Sequence, residues 1–350
     1  MATIKKLIIH LLYSITVILP QAVYASDPDI SGLVEKRRNI VKVFDVKDQD
    51  QLLVDNQFGQ VRVNLWNKEE IKVEIVITAN APSDGRASEY LGAIQIDEKR
   101  EKNKISLTTI IDKGQFGQNA WNRKGDKNFI QIDYTVSMPK ENALIVRNKF
   151  GNIDIPLFQA PLTIDSRYGS FTAASLTNAA NTIEVSYGNA KIGKMDGGRL
   201  ECKYSNITLD QATKLWLNNK FGELNIGDVT TLDADIDYSG AKIGMIRGIG
   251  RIKLNYSGNF KINEMTKSSG NVDIQAAYSS VILPADGNSF DVTMTYGNFS
   301  YPSTNVNFTQ QPSKDERGFQ KVKQYQGKIG TGSGTKITVT SRYGDVKLKD

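Results

Sequence analysis

Leu232-Asp-Ala-Asp-Ile-Asp-Tyr238-Ser-Gly-Ala-Lys-Ile243 decides the fold. Apolar residues stand two, four and six places before Tyr238, and again three and five places after it. Strict alternation is the mark of a strand with one face buried, and the slip of phase after the aromatic marks a turn or bulge. The same sentence recurs through residues 144–262. Its markers are Phe150-Gly151, Tyr168-Gly169, Tyr187-Gly188, Tyr204-Ser205, Phe221-Gly222, Tyr238-Ser239 and Tyr256-Ser257. Successive aromatics are 18, 19, 17, 17, 17 and 18 residues apart. Two short strands in each period of about 18 residues predict an all-β parallel β-helix, a β-solenoid whose rungs stack on one another.

Further copies lie outside that block. Leu52 to Val63 carries Phe58, and later copies carry Tyr278, Tyr296 and Tyr343. Between residues 39 and 140 the alternation is less regular. A strand is expected over Ile71–Ile77, a short helix over Ala87–Ala93, a hairpin from Ile94–Asp97 and Lys104–Ile111, and a strand over Ile130–Met138. The expected organisation is a signal peptide over 1–25, an irregular β-rich section over 26–140 that begins the stack, and solenoid repeats over 141–350. Residues 302–335 form a polar interruption before the repeat returns at Ile337. The charges at Asp345, Lys347, Lys349 and Asp350 are expected to discourage edge pairing at an exposed last rung.

Residues 1–25 read as a secretory signal: Lys5 and Lys6, an apolar run from Leu7 to Leu19, and a cut after Ala25. Removal of Lys5 and Lys6 lowers the formal charge from +6 to +4. The remaining charges are interspersed in sign, which gives no footprint for nucleic acid. No later stretch approaches the ~20 apolar residues of a spanning helix. An exported protein of the periplasm or cell surface, with no integral membrane segment after cleavage, is expected. Cys202 is the sole cysteine, so no internal disulfide forms, and its inward phase makes it a small buried apolar residue.

The chain lacks the usual catalytic groups. Its one histidine, His10, lies within the signal. That removes Ser-His-Asp and Cys-His catalysis and every His-ligated metal site from the mature chain. No cofactor is expected, and the Gly-Gly-x-Gly-x-Asp run of calcium-binding nonapeptides does not occur. Carboxylates such as Asp196 and Asp228 near turns leave open a polysaccharide lyase or glycosidase.

The aromatics share the parity of the inward residues, so Phe58, Phe150, Tyr168, Tyr187, Tyr204, Phe221, Tyr238, Tyr256, Tyr278, Tyr296 and Tyr343 are expected as a buried structural ladder at one corner. On an outer face the same column would be a glycan-binding platform. The following glycine is assigned the positive φ of the corner. Asn56, Asn148, Ser166, Asn219 and Ser341, each two places before the aromatic, are expected to hydrogen-bond the corner backbone. One place before it stand Lys149, Arg167, Lys203 and Lys220. Three places before it stand Asp165, Glu184 and Glu201, and these columns are positioned to pair across the sheet. Trp121, in the polar loop 112–128, is a candidate ligand contact.

Asn148–Ile155 (NKFGNIDI), Ser341–Leu348 (SRYGDVKL) and Ile132–Pro139 (IDYTVSMP) resemble segments of the bacterial β-strand-repeat "putative adhesin" family of unknown function. That resemblance implies an exported envelope protein with a parallel β-helical fold and no catalytic residues to carry over. The expected function is a non-enzymatic, adhesin-like or envelope-binding protein whose partner is a surface glycan or envelope protein.

Overall fold

The computed structural model describes residues 32–112, 114, 129–266, 270–312 and 321–349. The signal segment and Trp121 therefore lie outside the described residues. The fold is a β-solenoid in which parallel strands, joined through a tight corner, build two faces around one apolar core. On one face the inward residues pair as Val54, Val146, Ile164, Ile183, Leu200, Leu217, Ala234, Ile252 and Ile274. On the other run Ile155, Ala173, Ile192, Leu209, Ile226, Ile243 and Ile262. All of these side chains are buried. In mid-stack Ile192, Leu209, Ile226 and Ile243 are Cα partners in turn, so each rung repeats the inward pattern in register. A one-residue slip would turn an entire inward set to water, and this penalty holds the register.

The N-terminal end departs from the parallel pattern. Strand Val34–Asp45 pairs antiparallel with Glu70–Ala81, which pairs antiparallel with Phe129–Pro139. Phe129–Pro139 then lies parallel to Val61–Trp66 and so joins the stack. On the opposite face the hairpin Ile94–Glu101 and Lys104–Ile111 joins through Gln51–Gln57. The outer strand of that hairpin carries Asp97, Glu98, Lys99, Arg100 and Glu101, whose charges oppose edge-to-edge pairing. The single described helix is Asp84–Gly92, beginning earlier than the Ala87–Ala93 expected. The Ser83 side chain accepts the Arg86 N–H, and this cap fixes the start. Ala87 and Tyr90 pack with Ala79, Ala81 and Ala93.

The C-terminal end corrects the expectation of an exposed last rung. Strand Lys336–Arg342 lies between Asn271–Ala277 and Ser289–Thr295, parallel to both. Val346 is likewise paired on one side with Val281 and on the other with Phe299. The last repeat in the sequence is therefore an interior rung. The earlier repeat that it displaces, Ser289–Thr295, pairs onward with Val322–Ile329, which pairs with Val306–Gln310, both antiparallel. The segment read as a polar interruption thus supplies the strands that end this face.

Candidate functional site: the aromatic ladder and its flanks

Eleven rings form one column, in the order Phe58, Phe150, Tyr168, Tyr187, Tyr204, Phe221, Tyr238, Tyr256, Tyr278, Tyr343 and Tyr296. Neighbouring centroids are 4.7–5.1 Å apart and neighbouring planes are 1–16° from parallel. The spacing matches the ~4.8 Å separation of hydrogen-bonded strands. The column is not buried. Tyr168, Tyr204 and Tyr256 are each 52% exposed, and Tyr343 is 49% exposed.

The cause is the backbone at the aromatic itself. Each of the eleven has φ between 51° and 63°, in the left-handed region. That conformation breaks the alternation, so Lys149 and Phe150 both face outward although they are adjacent in sequence. Parity counted along an extended chain put the rings inside; one left-handed residue per corner reverses that.

The positive φ assigned to the following glycine is also corrected. None of these corner glycines has a positive φ. Their role is close approach: a β-carbon on Gly151 would fall well under 3.0 Å from the carbonyl oxygen of Gly59, and one on Gly169 the same from Gly151. Where serine replaces glycine, its hydroxyl is buried and bonded. Ser205, Ser239, Ser257 and Ser279 donate to the carbonyls of Lys203, Asp237, Asn255 and Ala277 at 2.7–3.1 Å. Ser257 and Ser279 also accept the N–H of Ser239 and Ser257 from the preceding rung. The aromatics before serine have φ of 51–52°, and those before glycine 55–63°.

The polar residues beneath the corner are buried and hydrogen-bonded. Asn148 donates to the Gly59 carbonyl at 2.8 Å, and Asn219 donates to Ser239 Oγ at 2.9 Å. Ser166 and Ser341 donate to the carbonyls of Gly169 and Gly344. Asn56 donates to the Ile132 carbonyl at 2.9 Å and accepts from Thr109, whose hydroxyl lies 2.8 Å from Tyr134 Oη. Burial pushes the Tyr134 phenol up to about 12, against the opposing effect of the Thr109 hydrogen bond. Cys202 is buried, and burial raises its thiol pKa, so it offers no thiolate.

Outside the ladder, Arg167 pairs with Asp165 at 2.9 Å, and Lys203 lies 3.8 Å from Glu184 on the preceding rung. Glu201 is held by Arg199, which covers the face of Trp216 at 3.5 Å. Lys220 Nζ lies 5.7 Å from the Phe221 ring centre. Asp196 pairs with Lys194 at 3.0 Å, and Asp228 accepts from Arg247 at 2.7 and 2.9 Å. Among the described residues, no group of three or more His, Cys, Asp or Glu side chains is placed to hold a metal ion. No helix among them is long and apolar enough to cross a membrane.

One shallow depression adjoins the ladder. Lys253, Asn255, Gln275, Ala277, Thr340 and Arg342 surround about 400 Å³; Asn255, Ala277 and Arg342 immediately precede the ladder residues Tyr256, Tyr278 and Tyr343 in sequence. Sequence reading missed both this group and Trp216. Their outward parity was available, but nothing in the linear order brings Arg342 beside Ala277.

The Toastrack DUF4097 family model matches residues 49–349. The chain belongs to the Toastrack DUF4097 family. The match takes in both the parallel rungs and the antiparallel strands at either end, so the Toastrack unit extends well beyond the regular repeats. Solved structures similar to this Toastrack chain include a "putative adhesin" from Parabacteroides distasonis. It is 11% identical, with 89% of this chain and 97% of that chain covered and a TM-score of 0.37. A "putative adhesin" from Bacteroides fragilis is 13% identical, with coverage of 89% and 97% and a TM-score of 0.31. A "putative cell adhesion protein" from Clostridium sporogenes is 10% identical, with coverage of 90% and 99% and a TM-score of 0.21. No curated protein matches the chain.

Proposed function

We propose that this Toastrack protein is an exported, non-enzymatic binding module of the bacterial cell envelope, with its outer aromatic strip as the contact surface for a surface glycan or envelope protein. The observation that carries the reading is the column of eleven rings held partly exposed in one continuous stack. Aromatic surface left in water along a rigid edge, with polar and basic side chains beside it, has the composition of a recognition surface. The strip spans roughly 50 Å at ~4.8 Å per rung, which suits an extended partner better than a small molecule.

The ring faces are occupied by one another, so a ligand meets ring edges and phenol hydroxyls. This differs from a platform on which sugar rings lie flat. The lyase or glycosidase reading has less support, because Asp196 and Asp228 are each ion-paired to a neighbouring cation. Export is supported by the composition of residues 1–25.

The test is a binding screen of the exported chain against glycans and envelope fractions, with its N-terminus determined by mass spectrometry. Specific, saturable binding by a chain beginning at Ser26 is expected. A blank screen, or a cytoplasmic chain retaining residues 1–25, would overturn the proposal.

A further inference from the structure

The depression beside the ladder is a place where the pairing of outward charges along the sheet fails. Several cations on this face stand near acids: Arg147 lies 3.9 Å from Asp55, Arg167 lies 2.9 Å from Asp165, and Lys203 lies 3.8 Å from Glu184, whereas Lys149 and Arg251 lie near none within ion-pair distance among the described residues. Arg342 has no such neighbour. Its partners across the sheet are Ala277 and Thr295, and its own strand places Thr340 two residues before it. Among the described residues it makes no ion pair. Lys253, two rungs away, lies 3.8 Å from Asp235 on the side facing away from Arg342.

The hollow has a simple steric origin. The outward column beside the ladder reads Asn255, Ala277, Arg342 across three rungs. The methyl group of Ala277 leaves a gap between the larger side chains of Asn255 and Arg342, at the concavity of about 400 Å³. That volume is at the small end of the range for ligand pockets. Gln275 and Thr340 bring an amide and a hydroxyl group to it, and Asn255, whose amide N–H donates to Asp237 at 2.9 Å, brings its carbonyl.

We propose that this notch binds the carboxylate of an acidic saccharide, with the carboxylate seated on Arg342. A guanidinium matches a carboxylate with two parallel hydrogen bonds and cannot lose its charge at ordinary pH. Asn255, Gln275 and Thr340 then serve the sugar hydroxyls, and Lys253 adds a second, partly neutralised positive charge. Exposed amides and a hydroxyl around one unpaired guanidinium fit a uronic-acid unit better than a bare anion, which has no hydroxyls to engage them. This assignment deepens the binding-module reading and rests on it.

The test is calorimetric titration of the full chain with a trigalacturonate and with its methyl ester, which keeps the hydroxyls and removes the charge. Saturable binding of the acid is expected, weakened at least tenfold in the ester. Arg342→Ala should weaken it at least tenfold, Arg342→Lys less. Ala277→Gln, which fills the notch without touching a charge, should weaken it as Arg342→Ala does. Both positions face outward, so melting curves close to the parent's will show that the three variants remain folded. Trigalacturonate failing to bind, or binding fully displaced by an equal concentration of sulfate, would overturn the saccharide assignment. Binding unchanged in both Arg342→Ala and Ala277→Gln would overturn the notch while leaving the module reading intact, since a ligand would still be held elsewhere.

Discussion

The ring of Tyr278 stacks on that of Tyr343 at 4.9 Å, and Tyr296, nearer in sequence to Tyr278, lies beyond Tyr343. The chain leaves a gap of one rung after Asn271–Ala277, builds the far side first, and fills the gap with its final repeat. The core residues of that repeat, Ile337 and Val339, are fully buried.

A chain ended at residue 335 should therefore lose far more than a frayed terminus. The inward faces of Ile274 and Val292 would lose the strand they share, and the backbone groups on that side of each strand would lose their partners. Thermal melting should show loss of the C-terminal rungs or of cooperative folding. A Tm within a few degrees of the full chain would contradict the inserted order.

The ladder tyrosines should be less costly to truncate than the inward residues they resemble in phase. Tyr204→Ala loses two stacked contacts from a half-exposed site, about 0.5–1.5 kcal/mol each by the usual worth of aromatic pairs. Leu217→Ala, in the core, should cost roughly 2–5 kcal/mol. Tyr204→Gly should recover part of the loss, because glycine occupies φ of +52° without penalty. Denaturant unfolding of the three variants gives the ranking. Tyr204→Ala proving as damaging as Leu217→Ala would mean that the ring is buried.

Gly151→Ala places a methyl group against the Gly59 carbonyl of the rung before it, and backbone cannot move aside as a side chain can. A loss of at least about 3 kcal/mol is expected, at or beyond the upper end for overpacked sites. Gly258→Ala meets nothing within 4 Å and should stay within about 0.5 kcal/mol of the parent, as for an ordinary surface change. Equal effects at the two positions would show that close approach is not what selects glycine at the corner.

Stability should carry a component from Tyr134 at alkaline pH. Its folded pKa, about 12, exceeds the unfolded value of about 10, so the folded state holds the phenol proton more tightly. The contribution is complete below pH 10 and is lost as pH rises toward 12. Tyr134→Phe should flatten that part of the stability curve, while costing about 1 kcal/mol near neutrality from the Thr109 hydrogen bond. An unchanged alkaline limb in the variant would place the titration elsewhere.

Residues 232–243 already contain the strand alternation, the corner and the repeat, because the side-chain period of a strand is fixed by backbone geometry and needs no neighbour to be read. The bonded polar residues beneath the corner, such as Asn148 and Asn219, were legible for the same reason: a buried turn leaves backbone groups that must find partners. The side of the sheet on which the aromatics lie was not legible. One left-handed residue per corner inverts parity, and nothing in the local alternation announces it. The order of the last rungs, and the meeting of Arg342 with Ala277, were equally beyond the linear text. Every repeat presents nearly the same inward face, so any could stack on any other; the pairing of Lys336–Arg342 between Asn271–Ala277 and Ser289–Thr295 appears only in the tertiary structure. Sequence determined the rung, and tertiary structure decided which rungs meet and which way their rings face.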